Sequence, residues 1–162
     1  MRKHHSVSFA WFYVLIALAC AGLLGVRIML HPVSVSGISM EPTYHDGDIL
    51  ETKTDGYPIT YGSVVIIMHD GKRLIKRIAA LGGDTVRITD GILYVNGVPE
   101  HACFPAIEDP GIASEEIQVP EGFVFLLGDN RNHSKDSRVI GPLPESSIRG
   151  VVTKTLVSFK NK

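Results

Sequence analysis

The sequence has little of what a metal site, a disulfide scaffold or a nucleic-acid surface would require. It holds two cysteines, Cys20 inside an apolar run and Cys103 beside Phe104 and Pro105. Surroundings that different argue against a disulfide between them. Neither has a cysteine or histidine at metal-ligand spacing, and the seven histidines, His4, His5, His31, His45, His69, His101 and His133, form no HxH or HxxxH pair. No metal site is expected. Basic and acidic side chains nearly balance, 16 against 17 for a net charge of -1, which leaves no basic stripe to follow a phosphate backbone. Nucleic acid is not an expected partner. There is no internal repeat or low-complexity tract, and past the amino-terminal run no segment keeps a 3.6-residue apolar period. What remains, 162 residues of which 44% are hydrophobic, suffices for one domain with its own core.

From Phe9 to Val26 no residue is charged, and a helix of that length comes close to crossing a bilayer core of about 30 Å. Arg2 and Lys3 precede the run and place its start on the cytoplasmic side, with Trp11 and Tyr13 suited to the interface. The reading is a cytoplasmic segment 1–8, a transmembrane anchor 9–30 and an extracytoplasmic domain 31–162, in contact with the lipid bilayer. A cleaved secretory signal ending at Ala19-Cys20-Ala21, or a lipoprotein signal ending at Cys20, fits less well. The apolar run continues through Leu23, Leu24 and Val26, where a cleavage region should turn polar, and Leu18 stands where a lipoprotein signal has a small residue.

Beyond the anchor, strand-like runs alternate with turn signals, so the fold class is mainly β, with coiled antiparallel sheets. Ser63–His69 and Lys72–Leu81 flank Asp70-Gly71, and Thr85–Thr89 and Ile92–Val95 flank Asp90-Gly91. These dipeptides favour tight hairpins, and Asn96-Gly97 offers a third. Glu116–Val119, Phe123–Leu127 and Val151–Phe159 follow a loop over Ala106–Ser114 punctuated by proline and glycine. The run Val64-Val65-Ile66-Ile67-Met68 is apolar on both faces and has to be covered on both. A folded-over sheet or distorted barrel does this with the fewest residues.

Three segments carry chemistry. In Lys72–Leu81 alternation puts Leu74, Lys76, Ile78 and Ala80 on one face. An ammonium in such an apolar row is poorly solvated, so its pKa falls and the neutral amine becomes a base. Lysines on strands are more often solvated, and the reading depends on a partner. Ser39 offers one, in the Gly- and Pro-bounded turn Gly37-Ile38-Ser39-Met40-Glu41-Pro42-Thr43, although a lone loop serine is usually a turn residue. The third segment, Gly128–Arg138, is densely polar after the apolar Phe123–Leu127. It is either a solvated turn or the supporting shell of a buried lysine.

Taken together these segments resemble the conserved boxes of the bacterial type I signal peptidases, in the short single-anchor form, over nearly the whole chain. The family's S-M-x-P-T is matched by Ser39-Met40-Glu41-Pro42-Thr43, and its K-R segment by Lys76-Arg77-Ile78 followed by Gly83-Asp84. Its G-D-N-R-x-x-S-x-D-S-R-x-x-G is matched by Gly128 through Gly141, and Tyr61-Gly62-Ser63-Val64-Val65 resembles the box that opens the preceding strand. The resemblance implies Ser39 as nucleophile and Lys76 as general base, with the Ser134 hydroxyl positioning the amine. Arg77, Asp129, Asp136 and Arg138 are implied as a supporting ion-pair shell, and the backbone N–H of Ser39 as oxyanion donor. Gly37 stands where longer members carry a second, serine donor. Asn132-His133 and Gly82 depart from the usual Asp-Asn and Pro.

The implied function is that of a membrane-bound serine endopeptidase which removes signal peptides from secretory preproteins through an acyl-enzyme, without metal or organic cofactor. The substrate would pair its backbone with an edge strand. The competing readings are another serine/lysine processing peptidase, such as a conjugation-linked one, and a noncatalytic membrane-tethered binding module. The distance between Ser39 and Lys76 separates the last from the others.

Overall fold

The computed structural model describes residues 11–20, 31–100 and 104–159, and its chain divides after His31 into two compact units. In the first unit residues 11–20 form a helix with exposed side chains. Among the described residues no helix is long and apolar enough to cross a membrane. Most of the anchor expected over 9–30 lies outside the described residues, as does Cys103.

The second unit folds as two antiparallel sheets. The larger has the order β1 (His31–Ser34), β2 (Ile49–Lys53), β11 (Ile148–Val157), β3 (Val64–His69), β4 (Lys72–Leu81), β9 (Phe123–Leu127), β10 (Leu143–Pro144). The smaller has the order β7 (Val98–Pro99), β6 (Ile92–Val95), β5 (Thr85–Thr89), β8 (Ile117–Gln118). All three anticipated hairpins form. Asp70, Asp90 and Asn96 take φ of 48°, 51° and 52°, each ahead of a glycine also at positive φ, as the mirror-image turns that match strand twist require.

Two expectations shift. The last strand starts at Ile148 and not Val151, because a register shift between Ile148 and Gly150 absorbs the break in alternation there. Ala80 does not share a face with Lys76. A second register shift lies between Ile78 and Ala80, and it turns Ala79 and Ala80 together toward one core cluster while Ile78 packs in the other. Leu74 and Ile78 keep the lysine's face, joined by Val65, which pairs directly with Lys76.

The apolar run of β3 is covered on both sides, with Val64, Val65, Ile66 and Ile67 all buried. One cluster joins the small sheet, through Val86, Ile88 and Leu93, to Phe125 and Leu127 of the large sheet. The other gathers Val65, Ile67, Ile78 and Leu126 under Leu143 and Val151. The large sheet also curls. Ser34–Ser36, at and just past the end of rim strand β1, and Arg73–Lys76 of β4 line one cavity although three strands separate β1 from β4 in the sheet.

Candidate active site

Ser39 stands on a turn that follows β1 and is tied down by its neighbours. The Glu41 N–H donates to the Ile38 carbonyl at 3.1 Å and the Gly37 N–H to Asp46 Oδ1 at 2.7 Å. Gly37 has φ of +85°, a conformation that costs other residues more. Its N–H is therefore occupied, and it is not the second oxyanion donor. The Ser39 N–H has no hydrogen-bond acceptor among the described residues and is free to serve as the first.

Lys76 projects from the middle of β4 toward this turn. Its Nζ donates to Ser39 Oγ at 2.7 Å, and its side chain is 4% exposed. Burial pushes its pKa below the ordinary lysine value. Asp136 and Asp129 oppose that shift, and Arg138 adds to it. The two residues lie 37 positions apart in sequence and meet because β4 crosses beneath the turn. A merely solvated lysine would satisfy neither observation.

The 128–138 segment is a folded ionic scaffold and not a solvated turn. Asp129, Arg131, Asp136, Ser137 and Arg138 are all buried. Arg77 grips Asp129 with two parallel bonds, Nε to Oδ1 at 2.7 Å and Nη2 to Oδ2 at 2.6 Å, and Thr43 Oγ1 donates to the same carboxylate at 2.5 Å. The Asp129 hydrogen bond holds the Arg77 guanidinium above its usual pKa. Arg138 makes the same fork to Asp136, both bonds at 2.9 Å, while the Gly128 N–H donates to Asp136 Oδ2 at 3.0 Å. Bidentate pairs of this kind fix geometry as well as charge.

Gly128 has to lack a side chain. A Cβ there would lie 2.5 Å from the Ser39 carbonyl and collide with the Ser134 hydroxyl. The contact packs Ser134 into the site, where its Oγ is buried and has no hydrogen-bond partner among the described residues. Asn130 completes the link, its N–H donating to the Ser39 carbonyl and its Nδ2 to the Ile38 carbonyl, both at 3.1 Å.

Ser39 and Lys76 thus line one cavity of about 350 Å³, Gly37 lies on the turn that carries Ser39, and Ser134, Arg77, Asp129, Asp136 and Arg138 belong to the scaffold behind it. Several others were missed. Phe104 has the guanidinium of Arg131 at 4.3 Å and that of Arg77 at 5.4 Å from its ring centre, and Arg131 pairs with Glu100 at 2.8 Å. Asp48, 1% exposed, accepts from the N–H groups of His45 at 2.9 Å and Phe159 at 2.7 Å. Burial alone would raise its pKa, but these bonds outweigh it and the net shift is downward. Only Arg131 carried a sequence signal, as part of the polar run. No group of acidic, histidine or cysteine side chains among the described residues could hold a metal ion.

The cavity borders an open strand edge. β4 pairs with β3 along Lys72–Arg77, but with β9 only from Arg77 onward. On the β9 side Lys72–Lys76 has no strand partner among the described residues, which is the edge an extended peptide would extend.

Comparison with known proteins agrees with this arrangement. A family model described as signal peptidase, peptidase S26, matches residues 8–157. A probable signal peptidase I-1 from Synechocystis is 35% identical over 150 residues, covering 85% of this chain and 76% of that protein. A signal peptidase I from Bacillus licheniformis is 36% identical over 146 residues, covering 80% and 77%. The crystal structure of a signal peptidase I from Enterococcus faecalis superposes with a TM-score of 0.51 at 28% identity, covering 60% of this chain and 98% of that one.

Proposed function

The chain belongs to the signal peptidase family, peptidase S26, and from that premise we propose that Ser39 and Lys76 are the dyad with which it works. Like its relatives it is a signal peptidase I, a serine endopeptidase that removes signal peptides from preproteins. The observation that carries the residue assignment is the 2.7 Å contact between Lys76 Nζ and Ser39 Oγ at a buried lysine. A noncatalytic module has no reason to bury an amine against a serine hydroxyl.

The neutral amine accepts the Ser39 proton, reversing the direction of the hydrogen bond, and the alkoxide adds to the scissile carbonyl. The Ser39 N–H stabilises the oxyanion. Protonated Lys76 then gives its proton to the leaving amine, and in deacylation it takes one from water. The resemblance assigns Ser134, packed against Gly128, the positioning of the amine, and its buried hydroxyl is available for that bond. Arg77, Asp129, Asp136 and Arg138 hold the two strands and the turn in register around it.

The substrate is the extended segment of a secretory preprotein, laid along the open edge of β4. The apolar run Phe9–Val26, with Arg2 and Lys3 ahead of it, supports a single-pass anchor over 9–30 with 1–8 cytoplasmic and 31–162 extracytoplasmic. Incubating the detergent-solubilised full chain with a labelled preprotein and sequencing the new amino terminus tests the activity. One defined cut after the signal's apolar core is expected, and an uncut preprotein would overturn the reading.

A further inference from the structure

The reaction as described makes no use of one buried charge, the carboxylate of Asp48, which is 1% exposed. Among the described residues no lysine or arginine pairs with it, and its one ion-pair neighbour is His45 Nδ1, 3.9 Å from Oδ2. A carboxylate taken out of water is costly unless hydrogen bonds replace the lost solvent. Here they come from two distant parts of the chain. The His45 N–H donates to Oδ2 at 2.9 Å, the Phe159 N–H to Oδ1 at 2.7 Å, and the Ser158 hydroxyl donates as well. An acceptor-only group with two oxygens has room for all three.

Asp48 stands where β1 and β11 end and β2 begins, and β2 runs between the other two. On the β1 side the Val35 N–H donates to the Asp48 carbonyl at 2.8 Å, and the Gly47 N–H to the Val35 carbonyl at 3.0 Å. On the β11 side backbone pairing stops at Val157 with Ile49. Beyond it the Asp48 side chain takes the Phe159 N–H in place of a ladder partner. The Phe159 ring lies over Gly47, where a Cβ would sit 3.6 Å from Cδ2. Main chain and side chain of one residue thus fasten three strand ends. Val35 and Asp48 are also the two feet of the loop 36–47, which carries Ser39.

We propose that Asp48 is a positioning residue for the nucleophile, and that the Ser158–Phe159 segment acts through it as part of the frame that sets Ser39 against Lys76. The proposal rests on the peptidase reading above and deepens it. Asn130 holds the crown of the loop at the Ile38 and Ser39 carbonyls, and Asp48 holds its base. A loop free to tilt about its feet would open the 2.7 Å contact between Ser39 Oγ and Lys76 Nζ. Neither Asp48 nor residues 158–159 line the catalytic cavity. Their effect therefore falls on the rate of attack and not on the binding of substrate.

The test removes single donors and acceptors in the full chain in detergent, assayed on a preprotein-derived peptide well below the thermal midpoint of each variant. Phe159→Pro deletes the N–H that Asp48 accepts without entering the ladder, which ends at Val157. Phe159→Ala keeps that N–H, Ser158→Ala removes only the hydroxyl, and Asp48→Asn keeps the shape and gives up the charge. In Phe159→Pro and Asp48→Asn kcat should fall about 5- to 20-fold with KM kept within about twofold, the mark of a displaced nucleophile. Phe159→Ala and Ser158→Ala should lose less. Amide hydrogen exchange should quicken at Val35, Tyr44 and Gly47, whose N–H groups bond within the loop or at its feet, while the amides of β3 and β4 stay protected. An unchanged kcat in both Phe159→Pro and Asp48→Asn, a loss confined to KM, or exchange that quickens equally in β3 and β4 overturns the proposal and leaves the peptidase reading intact. Failure of the unaltered chain to cut overturns the peptidase reading instead.

Discussion

The turn that carries Ser39 and the segment 128–138 that backs it are built on opposite terms. Ser36, Gly37 and Ile38 are exposed and held by a few backbone bonds and the Asp46 carboxylate. The backing segment buries two carboxylates, each gripped by a guanidinium fork, Asp129 by the half-buried Arg77 of β4 and Asp136 by Arg138. A nucleophile has to reach substrate, so it sits where water and peptide have access. Its precision is supplied from behind, by charges whose removal from water makes their geometry costly to alter.

If that division holds, the largest loss of activity comes from the dyad and the largest loss of stability from the scaffold. Ser39→Ala and Lys76→Ala should each lower kcat/KM by about 10⁴-fold or more, with the thermal midpoint of the β domain kept within a few degrees. Near-normal turnover by either would refute the dyad. Arg138→Ala leaves the Asp136 carboxylate buried and unpaired, and should cost about 3–5 kcal/mol in denaturant unfolding. A loss comparable to an ordinary surface substitution would mean that the scaffold is wetter than its burial indicates.

Ser134→Ala lies between the two regions. Misplacing the amine should slow cleavage by about 10- to 100-fold, with little change in stability, since the hydroxyl makes no bond in the resting site. An unaffected rate would remove Ser134 from the mechanism. The pH profile sharpens the same point. Burial lowers the Lys76 pKa, so cleavage should rise with pH on a limb below the unperturbed lysine value of about 10.4. Asp136 raises that pKa, and Asp136→Asn should move the limb to lower pH. A move upward would show that the carboxylate acts on Lys76 through structure and not through charge. The smallest effect belongs to the turn. Asp46→Ala removes one solvent-exposed bond to the Gly37 N–H and should cost about 0.5–1.5 kcal/mol, read as a small drop in midpoint.

What could be read from the sequence follows from which interactions are local. The hairpins at Asp70-Gly71, Asp90-Gly91 and Asn96-Gly97 were legible because turn chemistry and two-residue alternation are written within a few residues. The β-bulge that turns Ala80 away from Lys76 was not, because it depends on how β9 pairs with β4 and no residue of β4 signals it. Ser39 and Lys76 stand out in the sequence as a turn serine and a lysine in an apolar row, and the ion-pair shell only through the resemblance to the family's boxes, whereas the pairing of each carboxylate with its guanidinium is a long-range fact. Thr43 on Asp129, the Phe104 ring between Arg77 and Arg131, and Asp48 between His45 and Phe159 had no periodic signature. Apart from the local His45 bond, each joins residues far apart in sequence, which only the closed fold brings together.

The hold of Asn130 on the turn also bears on how the enzyme comes into being. Its Nδ2 reaches the Ile38 carbonyl across 92 positions of chain, and loops that long close late relative to hairpins. The hairpin of β3 and β4 can therefore form, with Lys76 in place, before the nucleophile's carbonyl is secured. In refolding from denaturant the far-ultraviolet β signal should recover ahead of peptidase activity, and Asn130→Ala should widen the gap between them. A chain emerging from synthesis would then pass through a β-rich but catalytically silent stage, and would become able to cut other chains only once Asn130 has closed onto the turn.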